Sequence, residues 1–104
     1  MKKKKGLIVV SDYYYEISKN LLYACETNLK KSKYLYDIKI VSGSLEIPTL
    51  ISHFIKKKKY KFYIALGCIV KGQTPHFEFI SSAITNSLIS MSIDTQTIIT
   101  NGII

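Results

Sequence analysis

The chain has 104 residues, 47% hydrophobic and 21% charged, and its 15 basic residues against 7 acidic ones give a formal net charge of +8. A chain of this size forms one domain with one core, burying roughly two thirds of the surface its unfolded form exposes, and the apolar fraction excludes intrinsic disorder. No apolar run approaches the ~20 residues that span a bilayer, and the stretch after Lys2 to Lys5 is only Leu7 to Val10. This predicts neither a signal peptide nor a membrane helix, and a cytoplasmic protein that does not engage a membrane. Cys25 and Cys68 lack metal-ligand spacing and read as buried thiols, with no metal site.

The positive charge invites a nucleic-acid reading, because clustered lysine releases counterions from a phosphate backbone. Every basic residue, however, is Lys and none is Arg, the residue that clamps phosphate and reads guanine edges. The composition leans to Lys, Ile, Tyr, Asn and Phe, whose codons are AT-rich, so genome drift accounts for the lysines without a selected partner. On that account Lys2 to Lys5 and Lys56 to Lys59 are solvated surface.

Gly6 to Val10 is a short continuous apolar run, as expected of a strand buried on both faces of a parallel sheet. Ser11 and Asp12 offer caps for an amphipathic helix from about Tyr15 to Lys31, with Ile17, Leu21, Leu22, Cys25 and Leu29 recurring at helical spacing. Tyr36 to Val41 alternates and reads as a second strand near the sheet edge. After Ser42-Gly43-Ser44 a second helix carries Pro48 in its first turn and runs through Leu50, Ile51 and Phe54 to the lysines. Phe62 to Val70 is the most strand-like segment and is expected to be central. A third helix, capped by Thr74 with Pro75 at its first position, continues through Phe77, Ile80, Ala83, Ile84, Leu88 and Met91. Asp94 to Gln96 make a turn, and Thr97 to Thr100 begin a fourth strand. The order βαβαβαβ predicts an α/β fold: a three-layer α-β-α, flavodoxin-like domain with a four-stranded parallel sheet and helices on both faces.

Ligands of such open sheets bind beyond the carboxyl ends of the strands. The residues to inspect are Ser11 to Tyr14, Ser42 to Glu46, Cys68 to His76, and Asn101 after the fourth strand. Gly72-Gln73-Thr74, with Lys71 beside it, offers backbone N–H groups and a helix N-terminus to a phosphate, although a plain capped turn reads the same way. His76 beside it is a candidate proton shuttle, since its ordinary pKa lies near neutrality. His53, amid the second helix and next to the lysines, reads as surface.

Two segments carry a family resemblance. Ser42-Gly43-Ser44-Leu45-Glu46-Ile47-Pro48 resembles the Pro-Gly-(Ala/Ser)-Phe-Glu-(Ile/Leu)-Pro segment of the 6,7-dimethyl-8-ribityllumazine synthase family, and Ala65 to Phe79 resembles its Leu-Gly-x-(Val/Ile)-Ile-(Arg/Lys)-Gly-(Glu/Ala)-Thr-x-His stretch. Ile8 to Leu22 resembles the family's first strand and helix, so the likeness covers nearly the whole chain. It implies a transferase of riboflavin biosynthesis. The reaction condenses 5-amino-6-(D-ribitylamino)uracil with 3,4-dihydroxy-2-butanone 4-phosphate and needs no cofactor. By the resemblance His76 is the proton donor, and Gln73 and Thr74, with Lys71, hold the phosphate. Ser44, Leu45 and Glu46 hold the ribityl chain, while the backbone of Cys68, Ile69 and Val70 reads the pyrimidine and Tyr13 stacks on it. Asn101 falls where the family places an aromatic residue reaching the neighbouring subunit's site.

The chain departs from the family in places. Asp12-Tyr13-Tyr14 replaces Arg-Phe-Asn, Leu45 replaces Phe, Ser42 replaces Pro, and the sequence stops at Ile104, short of a C-terminal helical region that supplies a phosphate-binding Arg. The reading is thus one lumazine-synthase-like domain over 1–104 without that region, its activity open to impairment. A non-catalytic remnant or assembly subunit is the alternative, and a basic nucleic-acid-binding module a weaker one. The family also implies a homopentamer or larger shell. Ile8, Val10, Ile98 and Ile103 are expected to lack a covering layer and to drive association.

Overall fold

The computed structural model describes residues 5–70 and 77–104. Strands β1 (Lys5–Ser11), β2 (Leu35–Val41), β3 (Phe62–Gly67) and β4 (Ile98–Ile103) alternate with helices α1 (Tyr15–Lys31), α2 (Glu46–Lys56) and α3 (Phe77–Thr95). The strands form one sheet in the order β2-β1-β3-β4 with every pairing parallel. The flavodoxin-like three-layer reading holds, with β3 inside the sheet and β2 at an edge.

Side-chain alternation along β1 builds two cores. Leu7 and Val9 join Tyr63 and Ala65 of β3 under Ile47 and Ile51 of α2 and Ile84 and Leu88 of α3. Ile8, Val10 and Leu66 face the other way, under Leu21, Leu22, Cys25 and Leu29 of α1. Two helices therefore cover one face and one helix the other. Fully burying a side chain of this kind stabilises by roughly 1.5–3 kcal/mol, which makes β1, apolar on both faces, the spine of the domain. Gly6 sits directly beneath the Phe62 ring, where a β-carbon would stand 2.1 Å from it.

Several expectations need correction. Ile8 and Val10 are buried beneath α1, and Ile103 packs on the opposite core beside α3; of the residues expected to lack cover only Ile98, 68% exposed, does so. Ser11 ends β1 rather than capping α1: Tyr14 occupies the cap position without a side-chain cap bond. Ile17 is exposed and Ser18 takes its place inward, donating its hydroxyl to the Ser11 carbonyl. β3 ends at Gly67 rather than at Val70, although two bonds carry its pairing with β4 one step further: Ile104 N–H to the Gly67 carbonyl at 3.0 Å and Ile69 N–H to the Ile104 carbonyl at 2.8 Å. Asn101 lies within β4 opposite Ala65, not beyond the strand. The Thr74 cap and Pro75 lie outside the described residues.

The lysines are only partly a free surface. Lys56 to Lys59 are exposed at the end of α2, where positive charge suits the negative pole of the helix, and Lys59 lies over the Phe54 and Tyr60 rings. Lys5 is not merely solvated, since its Nζ stands 3.1 Å from Asp37 Oδ2.

Candidate active site

The carboxyl ends of the strands bring three stretches of chain together. After β1, Asp12 N–H bonds the Val41 carbonyl at 3.0 Å, joining the first strand end to the second. Tyr13 follows, 71% exposed, its ring edge-on to Tyr14 at 4.9 Å. After β2, residues 42–45 turn tightly into α2, with Glu46 N–H on the Gly43 carbonyl and Ile47 N–H on the Ser44 carbonyl, both at 3.1 Å. Ser44 settles against the end of β3: a β-carbon on Gly67 would lie 2.9 Å from its Oγ and 3.3 Å from Ser11 Cβ. A side chain at this position would have to displace the Ser44 hydroxyl and press on Ser11, which glycine avoids.

Cys68, Ile69 and Val70 leave β3 from that junction, half-buried, and run beside the end of β4 through the Ile69–Ile104 bond. Tyr13, Ser44, Glu46 and Cys68 to Val70 thus belong to one edge of the sheet. Leu45, 56% exposed, opens on an apolar groove of about 600 Å³ that Val41, Glu46, Thr49, Leu50 and His53 complete. His53 is exposed, as read from the sequence, yet it lines this groove rather than standing only among lysines. Asn101 is exposed on the edge strand, where its Oδ1 accepts the Ile103 N–H at 3.0 Å. Lys71, Gln73, Thr74 and His76 lie outside the described residues.

Sequence reasoning named Ser11 and Ser42 only as members of the strand-end loops and gave Gly67 no part here. The signal for Ser42 was a hydroxyl residue just ahead of a helix with a glutamate in its first turn. The signal for Gly67 was a glycine closing an apolar run. Among the described residues no group of three or more His, Cys, Asp or Glu is arranged for a metal ion, and no helix is long and apolar enough to cross a membrane.

An open parallel sheet whose loops converge at its carboxyl edge, next to a groove, defines an α/β protein built to hold a small molecule there. The family model for 6,7-dimethyl-8-ribityllumazine synthase matches residues 3–104, and the chain belongs to that family. It is 41% identical to the 6,7-dimethyl-8-ribityllumazine synthase of Bartonella bacilliformis, over 94% of this chain and 66% of that protein. The enzyme of the same name from Bartonella henselae is 39% identical over 99% of this chain and 68% of its own length. That of Buchnera aphidicola is 37% identical over 93% and 63%. The chain spans about two thirds of the length of these relatives.

Proposed function

We propose that the chain catalyses the reaction for which its relatives are named, a late step of riboflavin biosynthesis in the cytoplasm. The carrying observation is the family match across 3–104, joined to strand-end loops that gather at one edge. The 5-amino group of 5-amino-6-(D-ribitylamino)uracil attacks the ketone of 3,4-dihydroxy-2-butanone 4-phosphate and loses water to give an imine. A C–H proton then leaves, the C–O bond to phosphate breaks, and inorganic phosphate departs. The ribityl-bearing nitrogen closes the ring with loss of a second water. No redox change occurs, so no electron carrier is consumed.

Each step moves a proton, and His76 is assigned that work. Lys71, Gln73 and Thr74 are assigned the phosphate, through charge and the N–H groups of a helix start. Ser44, Leu45 and Glu46 are assigned the ribityl chain: a hydroxyl and a carboxylate suit a polyol, and Leu45 borders the groove. Tyr13 is assigned the pyrimidine face, for which its exposed ring is suited, and Cys68 to Val70 the pyrimidine edge.

A homo-oligomer, with the pentamer as the family's form, is the proposed assembly, and Asn101 is assigned to the neighbouring subunit's site. Phe79, Ile89 and Ile93, 76%, 52% and 69% exposed, fall on one face of α3 and support association through it. Mixing the two substrates with purified protein tests the activity. Lumazine fluorescence rising with phosphate release is expected, and a folded protein that releases neither would favour the non-catalytic assembly subunit.

A further inference from the structure

Ser42 is the first residue after β2, and Glu46 is the first of α2. The Ser42 backbone N–H donates to Glu46 Oε2 at 3.2 Å, and its Oγ–H donates to Glu46 Oε1 at 2.9 Å. One residue therefore holds both oxygens of one carboxylate. Both side chains are exposed, so without this pair the glutamate would spread over several rotamers in water. Held this way, each oxygen keeps lone-pair capacity for a further donor, and Glu46 lines the same groove as Leu45.

The geometry points to Ser42 as a positioning residue that fixes the Glu46 carboxylate to accept hydrogen bonds from the hydroxyls of a polyol chain. The inference rests on the proposed reading of Glu46 as a ribityl-binding residue. It goes beyond that reading by assigning the orientation of the carboxylate to Ser42, which need not touch substrate. The competing account is a structural tie at a helix start, which would affect stability and leave the polyol unnoticed.

The two accounts separate in binding. Two pyrimidines are compared by titration calorimetry, one carrying the ribitylamino group and one carrying methylamino in its place. Ser42→Ala is expected to weaken the ribityl compound by about 10- to 150-fold, the range for a lost bond to a charged group, and to leave the methyl compound unchanged. Ser42→Thr, which keeps both donors, restores the ribityl affinity. In a Glu46→Ala background the further change Ser42→Ala adds nothing, a comparison made between two folded variants whatever either change does to stability. Equal weakening of both pyrimidines, unchanged ribityl binding in Ser42→Ala, or the same loss with and without Glu46 overturns the inference alone. A wild-type chain that binds neither pyrimidine overturns the proposed function and this inference with it.

Discussion

Ser44 and Gly67 meet so closely at the carboxyl edge of the sheet that a β-carbon on the glycine would stand 2.9 Å from the serine hydroxyl oxygen. Ser11 Cβ, at 3.3 Å, closes the other side, so the added methyl has little room to escape. Gly67→Ala is expected to cost about 1–3 kcal/mol, the usual range for overpacking, and to weaken ribityl-pyrimidine binding by displacing Ser44. Urea unfolding and titration calorimetry check both. Adding Ser44→Gly should recover stability but not affinity, and full recovery of both would count against Ser44 in binding.

At the opposite end of the strands Tyr60 donates its hydroxyl to Asp37 Oδ2 at 2.6 Å, and Lys5 approaches the same oxygen. The Tyr60 bond and then the Lys5 contact hold the Asp37 carboxyl below its ordinary range. Burial, followed by the bond to Asp37, pushes Tyr60 up to about 12. A lowered folded pKa contributes stability that is present above the unfolded value and lost as pH falls through the folded one. A raised one contributes stability that is present below the unfolded value and lost as pH rises through the folded one. Stability should therefore decline below about pH 4 and again between about pH 10 and 12. In Tyr60→Phe the acid limb moves to higher pH. The alkaline limb shrinks to the shares of Tyr63 and Cys25, which burial pushes up, and of Tyr36, which its bond to Glu26 pushes up. Superimposable acid limbs in the two proteins, measured by urea unfolding across this range, would contradict the coupling.

His76→Ala is expected to lower turnover by roughly 10²- to 10⁴-fold, with a much smaller effect on ribityl-pyrimidine affinity, because a proton shuttle acts in the transition state. His53→Ala should lower turnover far less, since His53 is exposed and, although it borders the groove, is assigned no proton transfer. Steady-state kinetics of both variants decide the matter. A damaging His53→Ala beside a silent His76→Ala would reverse the assignment.

The outward face of α3 should hold the assembly together. Sedimentation velocity at micromolar concentration is expected to show an oligomer for the wild type and smaller species for Ile89→Asp with Ile93→Asp, which place charge on that face. A wild-type monomer with cooperative unfolding would refute the proposed association.

Much of this fold was legible because β1 and α1 carry strong, unambiguous patterns. The Gly6 to Val10 run and the helical recurrence from Leu21 to Leu29 match the elements found, α1 to the residue. What the pattern missed was set by partners distant in sequence. Ile17 looked like the first core position of α1, but the Ser11 carbonyl needed a donor and Ser18 supplies it. Ile69 and Val70 have strand character, and Ile69 N–H still bonds the Ile104 carbonyl beside β4, yet the regular strand ends at Gly67. Asn101 is read from the sequence as the residue after the fourth strand, whereas it pairs with Ala65 inside β4 and the ladder runs on to Gly67 opposite Ile103. At the candidate site the resemblance supplied residue types and roles. The closeness of Ser44 to Gly67 and the hold of Ser42 on Glu46 are distances that no spacing along the chain encodes.

The strand order β2-β1-β3-β4 also bears on how the chain is made. β2 pairs with β1, β3 adds to the other side of β1, and β4 adds to β3, so each strand on emerging from the ribosome meets a neighbour that already exists. Each new strand follows the one before it by no more than one helix and its turns, which keeps the added entropy of closure small once the earlier strands are docked and shortens the time an apolar strand stays bare.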